Sequence, residues 1–171
     1  MPLWPQKIAS YSIFERDEDL IGIADVTMPN IVNLTDTMKF GAGESDVPIV
    51  GFWGPASIVI NWHAPYEHTA RLAIQDGMVL DAWVAHQLHD SGNNKVVHKG
   101  WRYWFWTLPK GLNLGTLDIG VASGASSEFE IFAIKGLYDD VEQFHLDKEN
   151  YIYKVQGTDY LARVKQLIGR T

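Results

Sequence analysis

Glu128 and Glu130 are the residues of this sequence whose type and spacing come closest to those of an enzyme. On a β-strand, side chains two residues apart project from the same face, and glycoside hydrolases use two neighbouring carboxylates as acid and base. The same spacing is typical of any solvated strand face, which is the interpretation we favour. A small β-sandwich hydrolase built on these two residues is the alternative hypothesis.

The histidines do not follow a recognisable metal-binding pattern. His63 and His68 are five residues apart, which is a poor spacing for one helical face. His86 and His89 are three apart, and on a predicted strand this spacing places them on opposite faces. The sequence has no H-E-x-x-H motif and no cysteine that could complete a zinc site. We therefore predict neither a metal site nor a cofactor.

Two further segments resemble functional loops only in composition. The run from Gly41 to Ser45 lacks the Gly-Lys-Ser/Thr ending of a phosphate-binding loop and does not open a predicted helix. Ser126 and Ser127 lack the strand-turn-helix context of a nucleophile elbow. The sequence therefore favours a protein that is not an enzyme.

Length and composition indicate one globular domain. The chain has 171 residues, of which 46% are apolar and 20% charged, so a core is expected and global disorder is not. Its net charge of -7 disfavours a broad basic surface for nucleic acid. Because the N-terminus lacks the apolar region of a signal peptide and no apolar run could span a membrane, we expect a soluble protein made in the cytoplasm.

The elements that must position these residues are predicted to be mostly strands. Alternation of apolar and polar residues is clearest over residues 57–62 and 78–88. Further strands are expected over residues 11–15, 20–28, 31–40, 49–53, 95–108, 126–138, 141–146 and 151–155. Many short strands separated by turns favour a mainly β sandwich or barrel.

Two helices and one terminal arm complete the predicted organisation. A mid-chain helix is expected over residues 65–76, because Pro65 suits the first helical position. A C-terminal helix is expected over residues 158–168, with Thr158 or Asp159 as its cap.

Residues 1–10 are predicted to form an irregular N-terminal arm, because Pro2 and Pro5 oppose regular structure. The apolar residues Leu3 and Trp4 make this arm a candidate for docking on a neighbour. A frayed terminus is the other interpretation.

The strand that contains Trp101 to Trp106 is predicted to be apolar on both faces. Trp101, Tyr103 and Phe105 alternate with Arg102, Trp104 and Trp106. Such a strand is expected to be covered on both sides, either within the subunit or by a partner. Stacking on nucleic-acid bases is less favoured, because only one basic residue lies within the run.

Two motifs in order resemble one known family. The first consists of Gly22, Ala24, Asp25, Val26, Thr27, Pro29, Thr35, Gly41, Ala42 and Gly43. The second consists of Asp147, Asn150, Val155, Gly157, Asp159, Leu161, Ala162, Ile168 and Gly169. Together they resemble the major tail tube proteins of contractile phage tails and of phage-tail-like bacteriocins. The chain departs from the family pattern at Met28 and at Glu44 to Pro48.

The resemblance implies a tail tube fold, in which two packed β-sheets carry a flanking helix. It implies that residues 1–171 form one tube domain and that six copies form a ring whose inner strands join into a continuous barrel. Rings would stack into the inner tube of a contractile tail. An extended loop over residues 35–54 would reach the next ring, with contacts from Thr37, Lys39, Phe40, Gly41, Ala42, Gly43, Glu44, Ser45, Asp46, Val47 and Pro48.

The resemblance also implies the partners. These are copies of the chain itself, the tail sheath protein, the tape measure protein, and the baseplate and tail terminator proteins. DNA would be only passing cargo, if the particle is a phage, and no membrane anchoring is expected. The protein would be made in the bacterial cytoplasm and assembled into a virion tail or tail-like particle. A tube protein of a related contractile secretion or injection system is the alternative.

An acidic chain suits a lumen through which phosphates pass without binding. The carboxylates that we expect to face this lumen are Asp81, Glu128 and Glu130.

Overall fold

The computed structural model describes residues 3–15, 18–19, 24–65 and 67–170. Residues 1 and 2 of the predicted arm, the start of the predicted strand at residues 20–23 with Gly22, and Tyr66 of the predicted helix lie outside the described residues. The described strands are β1 (Leu3–Glu15), β2 (Glu18–Asp19), β3 (Ala24–Thr27), β4 (Asn33–Phe40), β5 (Gly43–Trp53), β6 (Ser57–Trp62), β7 (Met78–Asp90), β8 (Lys95–Asn113), β9 (Ala125–Tyr138), β10 (Val141–Asp147), β11 (Ile152–Val155) and β12 (Thr158–Asp159). The helices are α1 (Glu67–Arg71) and α2 (Ala162–Leu167).

The predicted mainly β fold is confirmed. Among the described residues, ten strands form one antiparallel sheet with the main order β12-β11-β10-β9-β8-β7-β1-β2. Strand β9 pairs with β8 on one side, and on its other side it pairs first with β6 and then with β10. Strand β3 extends the β6 branch. The described sheet is therefore branched and does not close into a barrel within the subunit.

The core follows the alternation read from the sequence. Ile58, Ile60 and Trp62 of β6 are buried, as expected for one face of a half-buried strand. They join inward residues of the neighbouring strands, namely Ile13, Leu80, Phe105, Phe129 and Ile131. The buried indole of Trp62 donates a 2.9 Å hydrogen bond to the Ser127 hydroxyl, so its polar atom is satisfied.

The predicted mid-chain helix is much shorter than expected. The amides of Ala73 and Ile74 bond to carbonyls three residues back, at Ala70 and Arg71, and these tight turns end α1. The helix is held by the buried Thr69 and by a 2.7 Å ion pair between Arg71 and Glu15. The prediction of a helix over residues 65–76 is therefore wrong in extent.

The predicted C-terminal helix also begins later than expected. Thr158 and Asp159 form the short strand β12, and the helix starts only at Ala162. An Asp159 carboxylate oxygen accepts hydrogen bonds from the amides of Tyr153 and Leu161, at 3.2 and 3.0 Å. This carboxylate therefore stabilises the turn between β11 and α2 instead of capping a helix.

The prediction of an irregular N-terminal arm is wrong for its described part. Residues 3–10 belong to β1 and pair with β7, beginning with Leu3 opposite Asp90. The pairing shifts register just after Pro5, where a residue without an N–H group is tolerated.

None of the described helices is both long and apolar enough to cross a membrane.

Candidate assembly surfaces

The segment predicted as an extended loop is a β-hairpin. Strands β4 and β5 form a two-stranded sheet of their own, and Gly41 and Ala42 make the turn between Phe40 and Gly43. The polar run Glu44 to Pro48 continues β5, so the predicted break in the strand over residues 41–48 is wrong. Cross-strand partners such as Thr37 and Asp46, joined by a 2.6 Å hydrogen bond, compensate for the low strand propensity of the run.

The hairpin exposes a large apolar surface. Met38 and Phe40 near its tip are 51% and 58% exposed, and Leu34, Ile49, Val50 and Phe52 are exposed as well. An isolated two-stranded hairpin is marginally stable in water. A hairpin that carries this much exposed apolar surface is suited to contact with another protein.

The cross-strand register gives the hairpin two distinct faces. Asp36, Met38 and Phe40 lie two residues apart and share one face. Lys39 lies on the other face, opposite Glu44. All eleven predicted contact residues lie on this hairpin between Thr37 and Pro48; whether they contact a neighbour remains a prediction.

The three carboxylates predicted to face the lumen lie on one face of the large sheet. Asp81 pairs with Trp104, and Glu130 pairs with Leu108. Because Trp104 and Leu108 are four residues apart on β8, they project from the same side. Glu128 lies two residues before Glu130 on β9 and shares that side.

Each of these carboxylates is paired with a cation. Two atoms of Arg102 bond to Asp81, at 3.1 and 2.7 Å. Lys110 lies 3.2 Å from Glu128, and Lys148 lies 3.5 Å from Glu130. The face is therefore much closer to neutral than the net charge of the chain suggests.

The environment of Glu128 disfavours the hydrolase hypothesis. Hydrogen bonds from Ser57 and Lys110 hold the pKa of the Glu128 carboxyl below its ordinary value. A glycosidase acid needs a raised pKa so that it keeps its proton. Glu130 also accepts a 3.1 Å hydrogen bond from the amide of Ala56, which is a structural role.

The predicted aromatic strand is apolar on both faces, as its sequence indicates. Phe105 is fully buried in the core. On the opposite face the Arg102 guanidinium lies 4.0 Å from the ring centre of Trp83 and 4.3 Å from that of Trp104. These groups line an open depression of about 700 Å³ together with Asp81 and Phe14.

Sequence reasoning missed the connection between β8 and β9. Leu117 and Ile119 in this connection are 92% and 99% exposed. Its base is fixed by hydrogen bonds from the Thr116 amide to the Ser123 carbonyl, at 2.7 Å, and from the Ser123 amide to the His63 carbonyl, at 3.1 Å. Aliphatic residues without strand or helix periodicity between Gly115, Gly120 and Gly124 were the signal that could have identified it.

The two ends of the chain expose further apolar side chains. Trp4 and Ile8 are exposed on β1, and the docking role predicted for Leu3 and Trp4 stays a prediction. Helix α2 has no buried residue, and its residues Val164 and Leu167 are exposed, as is Ile168 directly after it.

A β-sheet subunit with a hairpin, a loop and a helix that expose many apolar side chains has the surface of a protein that assembles with others. The model of the family described as phage tail tube protein FII matches residues 5–169, and the chain belongs to this family. The resemblance to tail tube proteins that was read from the sequence is confirmed, and the protein is a phage-type tail tube protein.

Solved structures that are similar to the chain include two from one contractile injection system. One is from the sheath-tube complex of an extracellular contractile injection system, PVC, in the extended state, with 14% identity, 78% of this chain and 92% of that chain covered, and a TM-score of 0.49. The other is from the sheath/tube terminator of the PVC system in the extended state. It is 14% identical, the match covers 78% of this chain and 97% of that chain, and the TM-score is 0.48. No curated protein matches the chain.

Proposed function

We propose that six copies of this chain form a ring and that stacked rings form the inner tube of a contractile tail. The observation that carries the proposal is the β4–β5 hairpin, which forms a separate sheet and exposes Met38 and Phe40 in the free subunit. A neighbouring subunit that covers these residues removes apolar surface from water. Contact with the neighbour would stabilise the hairpin, which is only marginally stable alone, and the hairpin would in turn stabilise the assembly.

Ring closure explains a second feature of the subunit. In the described part of the chain, residues 3–13 of β1 pair with β7 only, so their other edge is open. An open strand edge is a site for pairing with another chain. Neighbours within a ring would cover this edge, and the exposed Trp4 would then lie at the joint between subunits.

The remaining parts of the assembly follow from the proposed tube. The tube would lie within the sheath and meet a terminator at one end and a baseplate at the other, with a tape measure protein inside during assembly. The subunit would be made in the bacterial cytoplasm. The face with Asp81, Glu128 and Glu130 would line the lumen, where ion-paired carboxylates offer passing DNA few free cations.

Electron microscopy of the purified protein tests the proposal. Negative staining should show hollow tubes with six-fold end views, and light scattering should show species far larger than one 19.3 kDa chain. Replacing Met38 and Phe40 with serine should abolish the tubes. Val96→Ser, at an exposed residue far along the chain from the hairpin, is the matched control and should assemble normally.

A protein that stays monomeric at all concentrations, or a hairpin variant that assembles like the control, would contradict the proposal. A tube protein of a secretion or injection system would give the same images. Neighbouring genes distinguish a phage tube from the tube of a secretion or injection system, because capsid and terminase genes indicate a phage.

A further inference from the structure

We propose that the tip of the β4–β5 hairpin docks on helix α2 of the next copy in the stack. This inference rests on the proposed tube and names the surface that receives the hairpin. It joins two regions of the same chain that are both apolar, exposed and opposite in charge.

Helix α2 presents an unpartnered apolar face. Val164, Leu167 and Ile168 are spaced so that they share one side of the helix. Leu167 is 69% exposed, and no residue of α2 is buried in its own subunit. Most helices in proteins are stabilised by burying such a face, so a helix this short gains from a partner.

The hairpin offers a matching face. Met38 and Phe40 project from the same side near the tip, and Asp36 lies on that side two residues earlier. Met38 and Phe40 would contact the apolar face of α2. The carboxylate of Asp36, which lies farther from the tip, would then contact a basic side chain beside that face.

The charges of the two regions are complementary. The segment from Leu161 to Arg170 contains three basic residues, Arg163, Lys165 and Arg170, and no acidic residue. The hairpin contains three acidic residues, Asp36, Glu44 and Asp46, and one lysine. Within the described chain, no carboxylate forms an ion pair with Arg163 or Lys165. Opposite charges across an interface fix its register and exclude wrong pairings.

The two regions cannot meet within one subunit. Leu161, the residue just before α2, packs against the hairpin base: a side chain at Gly51 would lie 2.7 Å from its Cδ2 and Cγ atoms. Strand β4 runs seven residues from Asn33 at the base, opposite Trp53, to Phe40 at the tip, opposite Gly43. At about 3.3 Å per residue the tip lies roughly 23 Å away from that base.

This separation also gives the geometry of the assembly. The tip and α2 are different surfaces, so each copy uses one surface to bind the other surface of its neighbour. Such a head-to-tail contact forms a ring where its rotation closes and an open stack where it does not, and the contact proposed here is of the second kind. The length of the hairpin then contributes to the spacing between rings.

Cysteine cross-linking tests the contact directly, because the chain contains no cysteine. The Phe40→Cys and Leu167→Cys changes are made in one chain, and assembled tubes are oxidised with diamide. A head-to-tail contact should give a ladder of covalent multimers on a non-reducing gel. The matched control combines Phe40→Cys with Leu117→Cys, whose side chain is even more exposed, and should give at least tenfold less cross-linked product.

Charge reversal is the second test. Asp36→Lys or Lys165→Glu alone should reduce the yield of tubes at least tenfold at low salt. The two changes together should restore assembly, since the charges are again opposite. Asp36 is exposed and Lys165 is half-buried, and neither forms an ion pair in the described chain, so each variant should nearly keep the melting temperature of the unchanged subunit.

The outcomes separate this inference from the proposed function. Tubes that form but give no ladder from Phe40→Cys with Leu167→Cys would overturn the hairpin-to-helix contact and leave the tube standing. Unchanged protein that forms neither rings nor tubes would overturn the tube itself.

Discussion

Asp81 and Arg102 form a two-point ion pair across strands β7 and β8. The Nε and Nη2 atoms of Arg102 lie 3.1 and 2.7 Å from the two carboxylate oxygens of Asp81. The same guanidinium lies between the rings of Trp83 and Trp104. The carboxylate predicted to repel DNA in a lumen therefore holds an arginine in place on the aromatic face of the sheet.

Replacing Arg102 with lysine should weaken this arrangement without removing its charge. An ammonium group lacks the planar fork that binds both carboxylate oxygens and stacks on rings. We expect the free energy of unfolding to fall by about 1 kcal/mol, as typical of a half-exposed ion pair and cation–π contact. Urea unfolding measures this change in the free energy of unfolding. The exposed Arg163→Lys is the control, and equal effects of both changes would contradict the role of Arg102.

Gly136 lies directly beneath the ring of Phe144. A Cβ atom at this position would be 2.5 Å from the Cε1 and Cζ atoms of Phe144. Gly136→Ala should therefore lower the free energy of unfolding by about 2 kcal/mol through overpacking. At Gly100, on β8, nothing lies within 4 Å of an added Cβ.

Thermal or urea unfolding of four variants, namely Gly100→Ala, Gly136→Ala, Phe144→Leu and the variant with the last two changes together, separates overpacking from other effects of the added methyl group. Gly100→Ala should be close to neutral. Adding Phe144→Leu to Gly136→Ala should cost less than the sum of the two single changes, because the smaller side chain makes room. Strict additivity would show that the contact with Phe144 is not the cause.

Much of the fold could be predicted because local pattern and burial agree. The strand over residues 57–62 has the bounds expected from alternation, since Ile58, Ile60 and Trp62 all reach the core. The aromatic alternation of Trp101 to Trp106 likewise places Phe105 inside. Where one face of a strand is buried in its own subunit, the alternation of apolar and polar residues determines the register of the strand.

The predictions were wrong where the interacting residues are distant in sequence or lie on no buried face. Proline at position 5 suggests an irregular arm, but pairing with β7 recruits the segment into the sheet. The polar run Glu44 to Pro48 suggests a loop, but β4 pairs with it. For the same reason the ion pairs of Asp81, Glu128 and Glu130 could not be predicted: each cation comes from another strand or turn.

Gly51 should be essential at the base of the hairpin. Its φ of +75° is unfavourable for any residue with a Cβ, and that atom would also contact Leu161 at 2.7 Å. We expect Gly51→Ala to lower the free energy of unfolding by about 2 kcal/mol and to reduce assembly, because the hairpin would leave the base at a different angle.

The matched control lies in the same hairpin. At Gly43 an added Cβ meets nothing within 4 Å in the subunit, so Gly43→Ala should leave the free energy of unfolding unchanged. Urea unfolding and negative-stain microscopy of both variants provide the measurement. A Gly51→Ala protein as stable as the Gly43→Ala protein would show that the backbone at Gly51 tolerates a side chain.

Acid should weaken the ion pairs of Glu142. This carboxylate lies 3.0 Å from Lys154 and 3.1 Å from Lys135. The hydrogen bond with Lys154 is the largest cause that holds the pKa of the Glu142 carboxyl below its ordinary value of 4.5, and Lys135 adds to it. Because folding lowers this pKa, the native state binds the proton more weakly than the unfolded state does. The stabilisation is therefore fully present above pH 4.5 and is lost as the pH falls through the lower pKa of the folded protein.

Urea midpoints at pH 7 and pH 3 measure this loss. In Glu142→Gln the drop between the two pH values should be smaller than in the unchanged protein, because one linked proton has been removed. Glu149→Gln removes a carboxylate that forms no ion pair in the described chain, so it should leave the drop nearly unchanged. If both variants lose stability in acid as much as the unchanged protein, the acid sensitivity arises from other carboxylates, and the Lys135–Glu142–Lys154 group contributes little.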